Sequence, residues 1–209
     1  MIKKVIFDLD NTLIMWKKDY INALIDTMKC FDVKKDPAII DDIIESLEKK
    51  YEIISKEILL NDINRICDLN LDINFIDKLF ENQKKLAEID DNLIEIIKYL
   101  SKKYELVVLS NYFKEIQIGR LKTAKIYDYF TNVYGGDDVK LKPNKESYLR
   151  AIYPNKIEEC IMIGDSLKYD IEGALKIGLK AILYDYNNKL PDNEEYIKIN
   201  KLEELKNIL

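Results

Sequence analysis

The stretch "VIFDLDNTL", Val5 to Leu13, sets the reading of the whole chain. Val5, Ile6 and Phe7 are an apolar run of the kind that forms a short buried strand. Two carboxylates, Asp8 and Asp10, follow at once. Aspartate is a poor strand former, so the strand should end there. Two anions this close to an apolar core cost free energy unless something offsets them. The compensation has to come from elsewhere in the chain.

Working outward, the pattern turns helical from about Lys17 and stays so for roughly 85 residues. Ile21, Leu24, Ile25 and Met28 share one face. Asp36 before Pro37 reads as an N-cap with proline at the first helical position. Behind it Ile39, Ile40, Ile43, Ile44, Leu47, Tyr51 and Ile54 keep a helical period, which predicts one continuous helix to Ile54. Ile63, Ile66 and Leu69 predict a third helix, and Ile73, Ile76, Leu79, Phe80 and Leu86 a fourth. From Asp90 and Asp91 the rhythm becomes strand and helix in alternation. Strands are expected at Leu106–Leu109, Thr131–Tyr134, Cys160–Ile163, Ala181–Tyr184 and Ile197–Ile199. Helices are expected at Leu93–Leu100, Phe113–Lys122, Glu146–Ile152, Tyr169–Ile177 (with Gly178 as its C-cap) and at the C-terminus. Strands alternating with helices predict an α/β fold, a Rossmann-like doubly wound parallel sheet covered on both faces. The helical block is then an insertion after the first strand. The domain division expected is a core of residues 1–14 and 90–209 and an all-helical cap of residues 15–89.

Composition excludes several classes. The 209 residues are long enough for one sizeable core with a smaller insert. A net charge of −5 gives no basic footprint for nucleic acid, and lysines scattered among acids give none for a membrane surface. No run of about 20 apolar residues is present, and the apolar stretch after Lys3 and Lys4 meets Asp8 too soon for a signal peptide. Cys30, Cys67 and Cys160 are far apart and odd in number, so they read as reduced thiols. The expectation is a cytoplasmic protein, whether monomer or homodimer. There is no histidine at all. That removes Ser-His-Asp and Cys-His catalysis and every histidine-based zinc site.

In a parallel α/β sheet, ligands bind beyond the carboxyl ends of the strands. Polar residues fall there repeatedly: Asp8 and Asp10 after the first strand, Ser110-Asn111 after the second, Lys142-Pro143 in the loop after the third, Gly164-Asp165 after the fourth. Singly, each is a usual loop start or helix cap. Together they place Asp8, Asp10 and Asp165 as an acidic cluster able to hold Mg²⁺, which takes hard oxygen ligands and bridges carboxylates to phosphate. Ser110, Asn111 and Lys142 then offer a hydroxyl, an amide and a cation to phosphoryl oxygens.

These residues resemble the haloacid dehalogenase-like hydrolase superfamily, in its subclass with a helical cap after the first strand. Asp8-Leu-Asp10-Asn-Thr12 matches DxDxT, Ser110 matches the hydroxyl closing the second strand, Lys142 in "KLKPN" matches the family lysine, and "GDSLKYD", with Asp165 and Asp170, matches GDxxxxD. The resemblance covers nearly the whole chain and implies roles. Asp8 is the expected nucleophile, forming an aspartyl-phosphate. Asp10 is the expected general acid for the leaving group and then base for water. Mg²⁺ is expected on the Asp8 side chain, the Asp10 carbonyl and Asp165. Ser110 and Asn111 would hold phosphoryl oxygens, and Lys142 would neutralise charge. Asp170 would orient the lysine, and Thr12 would support the turn that aims Asp10. The second aspartate, absent from dehalogenases of this type, favours a phosphatase for a small phosphorylated metabolite such as a nucleoside monophosphate or sugar phosphate. A sugar-phosphate mutase, or an idle relative that only binds a phospho-ligand, is the alternative. Lys140 competes with Lys142 for the lysine position. Asp137 and Asp138 read as a solvated turn. Trp16, Lys17 and Lys18 are candidates for reading the leaving group, with Trp16 equally suited to anchor the cap core.

Overall fold

The computed structural model describes all 209 residues. Six strands, β1 (Lys4–Phe7), β2 (Glu105–Leu109), β3 (Asn132–Tyr134), β4 (Cys160–Gly164), β5 (Lys180–Tyr184) and β6 (Ile197–Ile199), form one sheet in the order β3-β2-β1-β4-β5-β6. Every pairing is parallel. Alternation along each strand feeds two cores. Val5, Phe7, Leu106, Val108, Ile161 and Ile163 point into one. Ile6, Val107, Leu109, Cys160 and Met162 point into the other. This is the doubly wound α/β architecture expected from the alternation of elements.

Four helices lie between β1 and β2 in the chain: α1 (Lys17–Cys30), α2 (Ile39–Lys50), α3 (Lys56–Cys67) and α4 (Ile73–Gln83). Their apolar faces close on a third core around Leu24, Ile43, Ile63, Phe75 and Phe80. That core also takes in Tyr112, Phe113 and Ile116, which follow β2. Phe80 meets Phe113 with ring centroids 4.8 Å apart, and Tyr20 meets Tyr112 at 4.9 Å. The helical layer is therefore joined to the sheet layer by an apolar aromatic seam, where each fully buried aromatic contributes roughly 1.5–3 kcal/mol. The remaining helices are α5 (Leu93–Leu100), α6 (Lys114–Thr123), α7 (Lys145–Ile152), α8 (Gly173–Leu175) and α9 (Leu205–Ile208). No helix is long and apolar enough to cross a membrane.

Several boundaries differ from the periodicity: α3 stops at Cys67, short of Leu69, and α4 at Gln83, short of Leu86. The helix expected to reach Ile54 stops at Lys50, and Tyr51 is extended. Ile54 is buried, but from a loop, and its N–H donates to the Gly136 carbonyl at 2.9 Å. Asp36 accepts from the Ala38 N–H at 2.9 Å, closing a turn one step ahead of a helix that begins at Ile39. After β4 the chain enters a wide π-helical turn over Leu167–Glu172 before α8. Gly178, at φ +82°, ends that segment in the left-handed conformation that glycine adopts without strain.

Candidate active site

The sheet order reverses between β1 and β4: the chain winds outward from β1 through β2 to β3, then returns to place β4 on β1's other side. Ligand crevices form at such a switch point. Asp8 leaves β1 there and Asp165 leaves β4 beside it. They line a cavity of about 230 Å³ together with Asp10, Ser110, Lys142 and Asp170.

Asp8 is nearly buried, and both its oxygens have partners. Lys142 Nζ donates to one at 2.7 Å, and the Thr12 hydroxyl donates to the other at 3.0 Å. Lys142, 3% exposed, also donates to Asp170 at 2.6 Å. Both carboxylates hold its ammonium well above the usual lysine range, against the opposing effect of burial. Asp170 accepts from the Ser166 N–H as well, at 3.0 Å, so both its oxygens are engaged. It can pack this closely only because residue 164 is glycine: a Cβ there would lie 2.3 Å from the Asp170 carboxyl. Thr12 does more than its expected task. Its hydroxyl reaches Asp8, accepts from the Asp165 N–H at 3.1 Å, and touches the Asp165 carboxylate at 3.5 Å. Thr12 serves the expected turn through its backbone: the Thr12, Leu13 and Ile14 N–H groups all donate to the Leu9 carbonyl in the turn that carries Asp10, with Asn11 at φ +63°.

Ser110 Oγ accepts from the Tyr112 N–H at 3.1 Å and from Gln117 Nε2 at 2.8 Å. These bonds orient the oxygen and leave its proton free to donate into the cavity. Asn111 lines the cavity, but its amide braces the Lys142 loop, accepting from Lys142 N–H at 2.7 Å and donating to the Lys142 carbonyl at 3.1 Å. It also reaches Glu48 of α2 at 3.4 Å.

Asp10 brings in two residues that the sequence reading did not single out. Gln117 Nε2 donates to one of its oxygens at 2.5 Å, and the Arg120 guanidinium forms an ion pair with the other. Arg120 is fully buried. It also donates to the carbonyls of Met15 (3.0 Å) and Leu86 (3.3 Å), the two crossings between sheet and helical layer, and pairs with Asp19 of α1 at 3.4 Å. Burial pushes the Asp10 carboxyl up, opposed by the Arg120 guanidinium and reinforced by the Asp8 charge. A signal was available: Gln117 and Arg120 sit on α6 among Phe113, Ile116 and Leu121, polar residues on an apolar stripe.

Oxygens of Asp8, Asp165 and Asp170 all lie within 4.8 Å of one another. Burial and the neighbouring carboxylates hold the Asp165 and Asp170 carboxyls well above the usual range. Three carboxylates face one ammonium, and all the donors are hard oxygens, a set that fits Mg²⁺. Lys140 lies outside this group, paired with Glu52 and Glu146 at 3.2 Å. Asp137 and Asp138 bond to Lys114 at a turn. Trp16 lines the cavity, edge-on to Tyr20, whereas Lys17 and Lys18 point outward to Asp41 and Glu88.

The haloacid dehalogenase-like hydrolase model matches residues 5–184. The chain is 26% identical over 212 residues to mouse N-acylneuraminate-9-phosphatase, covering 88% of this chain and 82% of that protein. It is 25% identical over 218 residues to the glyceraldehyde 3-phosphate phosphatase of Methanothermobacter thermautotrophicus, covering 97% and 94%. The sequence match to YfnB of Bacillus subtilis, 26% identical over 125 residues, spans 57% of this chain and about half (53%) of that protein. The magnesium-bound crystal structure of YfnB superimposes with a TM-score of 0.84 over 99% of this chain and 98% of that one, at 21% identity. By the family match across the sheet and its helical insertion, this chain belongs to the haloacid dehalogenase-like hydrolases.

Proposed function

We propose that the protein is a Mg²⁺-dependent phosphatase that hydrolyses a small phosphomonoester in the cytoplasm through an aspartyl-phosphate on Asp8. The observation that carries this reading is the Asp8 carboxylate at the switch point, held 2.7 Å from a buried lysine, with Asp10 beside it. The phosphatases among its relatives support the reaction class.

An Asp8 oxygen attacks phosphorus as the bond to the leaving oxygen breaks. Asp10 gives that oxygen a proton. Asp10 then takes a proton from the water that attacks the aspartyl-phosphate, which releases phosphate and restores Asp8. The opposing influences on Asp10 suit both halves: burial and Asp8 favour the proton-carrying form, and Arg120 favours the ionised one. Lys142 and the Ser110 hydroxyl stabilise the phosphoryl oxygens. Asn111 borders them while bracing the lysine loop, and Asp170 holds the lysine in place. Mg²⁺ on Asp8, Asp165 and the Asp10 carbonyl would supply the positive charge that offsets carboxylates and phosphoryl group together.

Residues 1–14 and 90–209 form the catalytic core in this reading, and residues 15–89 form the cap that shields the reaction from bulk water. The test is phosphate release from a panel of phosphomonoesters with Mg²⁺ or EDTA, beside the Asp8→Asn protein. Release that needs Mg²⁺ and disappears in the variant is expected. Release that persists in Asp8→Asn overturns the reading.

A further inference from the structure

We infer that Glu48 selects the leaving group: the site takes the phosphate ester of a small alcohol that offers hydrogen-bond donors and carries no negative charge of its own. The inference rests on the phosphatase reading and names its substrate class. The helical layer contributes Trp16, Tyr20, Ile44, Leu47 and Glu48 to the cavity wall. Glu48 is the one charged group among them. It is also held in position. The chain just past α2 is pinned to the loops after β3, with the Leu141 N–H donating to the Glu52 carbonyl at 2.7 Å and the Ile54 N–H to Gly136 at 2.9 Å. The Asn111 amide faces the Glu48 carboxylate at 3.4 Å.

The cavity has one cation, Lys142, and its ammonium is taken by Asp8 and Asp170. Arg120 is buried behind Asp10 and does not line the cavity. A second anion on the leaving group would therefore meet Glu48 with no further cationic side chain to answer it, a juxtaposition that discriminates against it. A hydroxyl or ammonium would instead give Glu48 a further donor beside the Asn111 amide; burial pushes that carboxyl up, against Asn111, Lys142 and Tyr169. The cavity, about 230 Å³, falls below the range of about 300–1,000 Å³ usual for drug-sized ligands, which suits a small alcohol.

The test compares kcat/KM for glycerol 3-phosphate and phosphoethanolamine with that for 3-phosphoglycerate and phosphoglycolate, in wild type and Glu48→Gln. Glutamine keeps an oxygen for Asn111 and removes only the charge, so a purely bracing role would leave the ratios alone. Wild type is expected to favour the non-anionic esters by about tenfold or more, and Glu48→Gln to lose most of that preference. Whether glycerol 3-phosphate or phosphoethanolamine leads tells a hydroxyl from an ammonium donor. A preference for 3-phosphoglycerate, or ratios unchanged in Glu48→Gln, overturns the inference. Calorimetric binding of glycerol 3-phosphate and 3-phosphoglycerate to Asp8→Asn, with and without Glu48→Gln, reads the same discrimination without turnover. If no ester is cleaved, p-nitrophenyl phosphate included, the phosphatase reading fails and the binding ratios decide on Glu48 alone.

Discussion

Arg120 is one of three arginines in this lysine-rich chain, with Arg65 and Arg150. Its planar fork serves several acceptors at once, which a lysine ammonium does less well. Here it answers Asp10, Asp19 and the carbonyls of Met15 and Leu86. Arg120→Met should leave two acids without their counter-ion and cost about 3–5 kcal/mol, read from the denaturant midpoint at unchanged slope. Arg120→Lys should cost less, because the charge stays and only the fork is lost. A loss for Arg120→Met within 0.5 kcal/mol of zero, the scatter of ordinary surface changes, would show that the ion pairs are not what holds this junction. Gly164→Ala makes a different kind of test. Its Cβ collides with the Asp170 carboxyl, so the lysine loses its anchor. The expected outcome is a loss of turnover far larger than the loss of melting temperature, checked by measuring both on one preparation. Asp8, Asp10, Ser110, Lys142 and Asp165 were legible as polar residues at strand ends and the loops after them, and Asp170 only through the resemblance of "GDSLKYD" to the family motif. Gln117 and Arg120 were not, because their signal is a polar residue inside an apolar helical stripe, and that pattern names no partner.

At the level of elements, the strands were legible because each is a short apolar run ended by a polar residue. The α2–α3 boundary was not. Tyr51 and Ile54 continue the apolar period past Lys50, and periodicity reports burial without reporting backbone conformation. The stop signals were nonetheless present: Lys49 and Lys50 in a last turn, then Ser55, whose hydroxyl accepts from the Ile58 N–H at 3.3 Å. Across this joint Asp62 links the two helices. It accepts from Ser46 at 2.6 Å and from Arg65 at 2.8 Å. Burial raises the Asp62 carboxyl, but Ser46 and Arg65 outweigh it and hold the group below its ordinary value. A depressed folded pKa stabilises above the unfolded carboxylate range and stops doing so as pH falls through the folded value. Asp62→Asn should therefore cost about 1–3 kcal/mol near neutrality, and the gap to wild type should close in acid. Thermal melts of both proteins across that range check it; a gap that stays constant with pH would assign the effect to shape and not to charge.

Over the whole molecule, the parallel sheet and its helical insertion follow from the order of patterns along the chain. The aromatic seam does not, because Phe80 and Phe113 are distant in sequence and nothing local says that they meet. The same long-range assembly creates the electrostatic problem at the centre of the fold. Asp8, Asp165 and Asp170 arrive from separate segments, and folding brings three carboxylates to one ammonium. Each is therefore a group that the folded state would bind through if given a cation, and that the unfolded chain holds apart. A ligand that binds only the folded state stabilises it by mass action, by about 2.7 kcal/mol at a hundred times its dissociation constant. For a chain of this length that corresponds to a rise in melting temperature of about 5–11 °C. Mg²⁺ should produce such a rise, and sodium chloride at equal ionic strength should not. Asp165→Asn should remove the response while sparing or raising the melting temperature without metal, since it deletes a charge that burial and the Asp8 and Asp170 carboxylates oppose. Asp62→Asn, far from the cluster in function, should keep the full response. A Mg²⁺ shift that survives Asp165→Asn would place the cation elsewhere and detach the acidic cluster from the chemistry proposed for it.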